Sequence, residues 1–190
     1  MNRSDRPLAL LGNVLGNQAV WLCAVAGAGR GLAWPGVVAA LLYCAWQLRV
    51  SNSRAIDLRL LGLAIVLGGA IDGGLAAAGW LAYAAPWPAA GFAPAWILAL
   101  WAAFAMLPMH ALAWLRHRPL AAFAFGALGG PLAYLGAARG FDAVAVTGPV
   151  ALTWAVLALA WGTAFACLMR VAARGADPGA RPLAGEGARA

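Results

Sequence analysis

Apolar runs of about 17–25 residues, separated by short arginine-bearing connections, leave this chain few folds to choose from. A helix rises about 1.5 Å per residue, so each run reaches across about 30 Å of hydrocarbon with its backbone hydrogen bonds closed internally. The 10% charged share set against 64% hydrophobic points the same way, since a soluble domain carries roughly a quarter of its residues as charges. The expected fold is therefore all-α: an integral membrane bundle of six transmembrane helices. The spans are expected at about 8–28, 32–48, 58–80, 94–115, 119–138 and 148–169. They make one six-helix membrane domain over residues 1–170, followed by a basic tail over 171–190 that is expected to lack structure.

All thirteen basic residues are arginine, and they give the chain a net charge of +7. They sit mainly between the apolar runs, so they read as topology signals and headgroup contacts, and no nucleic-acid partner is expected. With six crossings, eleven arginines fall on one side against Arg30 and Arg139 on the other, which by the positive-inside rule puts both termini in the cytoplasm. Cys23, Cys44 and Cys167 stand singly in apolar runs without metal or redox spacing and read as small buried hydrophobes.

The first run follows a short basic leader and ends near Ala24-Val25-Ala26, the outline of a secretory signal. Asn13, Asn17, Gln18 and Trp21 interrupt its apolar core, so it is expected to be retained as a span, and the Gly12/Gly16 spacing lets another helix approach closely there. The third run carries Asp72 in a glycine-dense segment, and the fourth carries Pro108 and His110 ahead of Arg116 and Arg118. The uncharged stretch Leu81–Ala93 is expected to be an external re-entrant or interfacial loop, and Arg139 and Asp142 mark a short outer loop between the fifth and sixth spans.

An ionisable residue inside a span costs about 2.5–3.5 kcal/mol on insertion scales, so by default it faces the bundle interior and marks a candidate site. Asp72 and His110 are the candidate catalytic residues; Asn13, Asn17, Gln18, Trp21, Tyr134, Trp114, Arg116 and Arg118 are the candidate substrate-binding ones. Asn13, Asn17 and Trp21 follow one another at helical spacing and present two amides and an indole along one edge. Counting rise along the helices puts Asp72 about 21 Å deep and His110 only about 7 Å above the basic loop, so the two are not expected to pair. Asn13 is the nearer partner for His110, and Asn17 or Tyr134 for Asp72.

The residues leave two readings open at each position. A neutral imidazole at His110 can act as acid or base on an amphiphile whose phosphate meets Arg116 and Arg118, or it can simply pack between tryptophans. Asp72 is either a proton acceptor or a tie closing a glycine-lined crossing, and the amides either line a ligand site or join helices. His110 and His117 stand about 10.5 Å apart along one helix and cannot both ligate one haem iron. Nucleophile-elbow, HExxH, P-loop and EF-hand signatures are lacking, and neither metal nor cofactor is expected.

Asn17-Gln18-Ala19-Val20-Trp21, Asp72, the segment His110–Leu115 and Gly129-Gly130-Pro131-Leu132-Ala133-Tyr134 together give the chain a pattern over about Leu8–Arg174. That pattern resembles a family of uncharacterised bacterial polytopic inner-membrane proteins, domain-of-unknown-function family 2878. This chain has Ala111 where the family often has a serine. The resemblance implies a multi-pass protein of the bacterial inner membrane. It supplies no activity of its own, but its association with enzymes that modify membrane fatty acids implies a lipid-linked role.

The function expected is that of an integral membrane protein acting in, or assisting, modification of a membrane lipid or hydrophobic substrate at a polar intramembrane pocket. Membrane lipids, and a hydrophobic small molecule, are the expected partners. The rival readings are a small proton-coupled transporter using Asp72 and a non-catalytic membrane partner protein; whether the chain is an enzyme stays open.

Overall fold

A computed structural model describes residues 5–176 as six helices and one short β-ribbon. The helices are α1 (Asp5–Ala28), α2 (Trp34–Val50), α3 (Arg54–Ala77), α4 (Ala95–Phe104), α5 (Pro119–Phe141) and α6 (Val150–Ala176). Strands β1 (Leu81–Tyr83) and β2 (Val144–Val146) pair antiparallel, with Leu81 opposite Val146 and Tyr83 opposite Val144. A single 3-10 turn, Ala113–Leu115, lies between α4 and α5.

Six membrane-crossing helices are not what the chain forms. Four helices are long and apolar enough to cross a membrane: α1 over Leu8–Ala28, α3, α5 and α6. The 17 residues of α2 rise about 25 Å and the 10 residues of α4 about 15 Å, both short of a 30 Å core. The arginine count that put both termini in the cytoplasm assumed six crossings, and without them it fixes the side of neither terminus. The architecture also includes strands, so it is not wholly helical.

Local chemistry explains the boundaries. Pro35 and Pro119 stand at the first turns of α2 and α5, where a missing amide leaves no bond unmade. Gly31, at φ +77°, makes the turn from α1 into α2. The expected fourth span over 94–115 stops at Phe104 because Pro108 has no N–H for the Phe104 carbonyl and its ring crowds that turn. The carbonyl instead takes the amide of Leu107, and the chain continues through turns to Pro119.

α1 packs along α2 and α5 along α6, while α4 lies against α1, α2 and α3. Gly16 meets the Tyr43 ring, where a Cβ would lie 2.6 Å from it, so the GxxxG spacing in α1 admits aromatic side chains of α2. The two stretches expected as separate outer loops are joined in the ribbon at one end of the bundle. The opposite end gathers the α2–α3 and α4–α5 connections with Arg49, Arg54, Arg116 and Arg118. α6 runs to Ala176, past the boundary expected at 170, and the rest of the expected tail lies outside the described residues.

Candidate functional site

Two buried polar centres and a cleft stand out among the described residues. The first centre is Asp72 on α3, wholly buried. Its Oδ1 accepts from the Tyr83 hydroxyl at 2.7 Å and from the Tyr134 hydroxyl, and its Oδ2 accepts from the Trp101 indole N–H at 2.7 Å. One carboxyl group thus ties α3 to β1, α4 and α5. The glycine-dense segment serves this contact: at Gly68, one turn before Asp72, a Cβ would fall 2.3 Å from the Trp101 ring. Burial, followed by the proximity of Tyr134 and Asp72, pushes the Tyr83 hydroxyl far above the ordinary tyrosine range, so Tyr83 stays a donor.

The second centre lies at the arginine-rich end. The Asn13 amide reaches Tyr43 Oη at 2.9 Å, Gln47 Oε1 at 3.0 Å and the Met106 carbonyl at 3.0 Å. Its two protons serve two of these three acceptors at a time. Asn13 Oδ1 accepts from the Ala111 amide at 3.2 Å, so one side chain takes up both a carbonyl and an N–H of the segment that follows the break in α4. Beside it, His110 Nε2 lies 3.2 Å from Asp57 Oδ2, the only contact of a basic side chain with a carboxylate among the described residues. The same carboxylate oxygen accepts from Ser51 Oγ, with Ser53 Oγ at 3.4 Å. Asp57 is 0% exposed, and its Oδ1 is buried without a partner among the described residues.

The cleft, about 460 Å³, opens between α1, α4, α5 and α6. Trp21, Trp96, Phe104 and Trp161 form much of its wall, Gly126, Gly129 and Gly130 its flattest part, and Asn17 and Gln18 its polar edge. Trp101 and Tyr134 face both ways, lining the cleft while donating to Asp72 behind it. The Trp101 and Trp161 rings stack at 4.0 Å, and the Gly130 position leaves room for Trp161, 2.3 Å from where a Cβ would stand.

Of the residues singled out in the sequence, Asn17, Gln18, Trp21 and Tyr134 come together in the cleft. Asp72 stands behind its wall, and Asn13 and His110 belong to the other centre. Trp114 is 57% exposed, with Arg118 6.0 Å over its ring, and Arg116 bonds the Ala113 carbonyl and Met109 Sδ. None of these three lines the cleft. Among the described residues no three His, Cys, Asp or Glu side chains gather as metal ligands.

Sequence reasoning missed Asp57, and with it Gln47, Tyr43, Tyr83 and Trp101. The signal for Asp57 was its place: an acid in the first turn of an apolar helix, four residues after Ser53 and six after Ser51. For Tyr83 there was no local signal, because the ribbon that delivers it pairs residues more than sixty positions apart.

A family model described as a protein of unknown function (DUF2878) matches residues 10–167. No curated protein and no solved structure matches the chain.

Proposed function

The chain belongs to the DUF2878 family, and from the cleft at its centre we propose that it takes up a membrane lipid or another hydrophobic molecule and acts in, or assists, modification of that molecule. The reading treats the described chain as a single multi-pass domain of a bacterial inner membrane. The observation that supports it is the cleft itself: about 460 Å³, aromatic and glycine-walled, with polar groups confined to one edge and the Tyr134 hydroxyl. A volume of this order suits one hydrophobic ligand held by shape and oriented by a few polar contacts.

In this reading Asn17 and Gln18 orient the ligand at the polar edge of the cleft and Trp21, Tyr134 and Trp161 grip its body. Asp72 acts as a positioning residue through Trp101 and Tyr134, and His110, which lies outside the cleft lining, supplies an acid–base group at the arginine-rich end. Arg116, Arg118 and Trp114 meet headgroups at the arginine-rich end. If His110→Ala leaves the cellular membrane lipid profile unchanged while the protein remains folded, the acid–base role is wrong.

Gly129 provides the direct test of the cleft. A Cβ added there meets nothing within 4 Å, so a larger side chain begins in open space at the cleft wall. Protein carrying Gly129→Leu is expected to lose about tenfold or more of the hydrophobic molecule that copurifies with wild type, the scale of a misfit in an apolar pocket. Mass spectrometry of extracts from detergent-purified protein checks this, and equal retention in both proteins removes the proposal.

The break in α4 favours one rival, proton-coupled transport, because broken helices surround substrate sites in many carriers. That rival expects a substrate-dependent proton flux in vesicles that disappears with Asp72→Asn; a flux unchanged by that substitution rules out Asp72 as the coupling group.

A further inference from the structure

We propose that Asp57 is a positioning residue for His110: it holds the imidazole as the Nε2–H tautomer, so that Nδ1 is the nitrogen left to accept a proton from a hydroxyl or ammonium group arriving at the arginine-rich end. The inference rests on the acid–base reading of His110 and adds the residue that orients it and the atom that reacts.

The geometry gives the reason. Asp57 Oδ2 already accepts from Ser51 Oγ, and in its ionised form it only accepts, so that form's 3.2 Å contact with His110 Nε2 carries the proton on Nε2. Nδ1 makes no hydrogen bond among the described residues, and the His110 side chain keeps 18% of its exposure, so a donor has access to it. The carboxylate is wholly buried, with one oxygen unpartnered among the described residues, and gains from a positive imidazolium beside it when Nδ1 takes a proton. The proton then sits on Nδ1, the donor is left deprotonated, and its return reverses the step.

The backbone holds the ring in place as well. Asn13 fixes the Met106 carbonyl and the Ala111 amide on either side of His110, so the imidazole is presented from a clamped turn. Tyr43 on α2 is engaged by Asn13, and Arg116, on the His110 segment, by Ala113 and Met109. Ser51 is not a nucleophile here. It bonds Asp57 on the oxygen that His110 also uses, whereas an activated serine needs the imidazole between itself and the carboxylate.

The chain has two histidines, so His117 serves as an internal reference. In full-length protein with 15N-labelled histidine in lipid nanodiscs, at a pH where both rings are neutral, His110 is expected to favour Nε2–H over Nδ1–H by about tenfold or more. Asp57→Asn collapses that ratio toward the mixture of a free imidazole, because an amide donates as well as accepts, while Ser51→Ala leaves it intact. A proton found on Nδ1 in the wild type overturns the proposal even if no variant folds. So does an unchanged tautomer ratio in folded Asp57→Asn. The acid–base reading fails separately: His110→Ala without effect on lipid composition removes that role and leaves the tautomer result standing.

Discussion

Asp72→Ala is expected to lower the stability of the protein by about 3–5 kcal/mol, the cost of removing one partner from a buried charged network. The substitution removes the shared acceptor of three donors at once, the hydroxyls of Tyr83 and Tyr134 and the indole N–H of Trp101. It also loosens four elements from one another, since each donor comes from a different one. Tyr83→Phe removes one donor and leaves two, so its loss is expected to be about 1.5–3 kcal/mol, the range for a hydrogen bond to a charged group. Thermal and denaturant unfolding in nanodiscs ranks the two variants. If Asp72→Ala proves no worse than Tyr83→Phe, the carboxyl group is not the common anchor described above.

The second large effect is local. Asn13→Leu keeps the side-chain bulk of α1 but removes the group that satisfies both the Met106 carbonyl and the Ala111 amide. Two backbone groups lose their partners, together with the contacts to Tyr43 and Gln47, for an expected cost of about 2–3 kcal/mol. The loss falls on residues 105–112, which have no helical hydrogen-bond ladder to fall back on. Hydrogen exchange there is expected to accelerate by about thirtyfold or more, while α5 and α6 keep their protection. Uniform acceleration across the whole chain would instead mean that Asn13 supports global stability and not this segment.

Much of the scaffold is legible in the sequence, because hydropathy and run length are local properties. The apolar runs that become α1, α3, α5 and α6 need only their own composition to be recognised as long membrane-compatible helices. The fourth run is different. Its hydropathy is helical throughout, yet α4 ends at Phe104, while α5 carries Pro131 and continues unbroken. What separates the two prolines is a partner. The backbone after Phe104 is received by Asn13, about ninety residues earlier in the chain, and no window around Pro108 contains that information.

The site shows the same division. Tyr134 was legible as a partner for Asp72, since rise along two helices brings both to similar depth, and the structure joins them. Asp57 was not, because its composition neighbours are arginines and its contacts are not. Depth counting kept Asp72 and His110 apart, which agrees with their separate hydrogen-bond partners. It also put Asn13 beside His110; the amide does reach that turn, but through Ala111, while the imidazole takes Asp57.

The donors around Asp72 carry a consequence for the order in which the molecule is made. Tyr134 lies 62 residues downstream of the carboxyl group it binds, so at synthesis rates of about 5–20 residues per second it follows Asp72 from the ribosome by about 3–12 s. Through that interval α3 carries an acid whose final neighbours do not yet exist, and Tyr83 is the first of the three to appear. The set of donors around Asp72 is therefore completed from the amino-terminal side, and the last of them is the one that α5 brings.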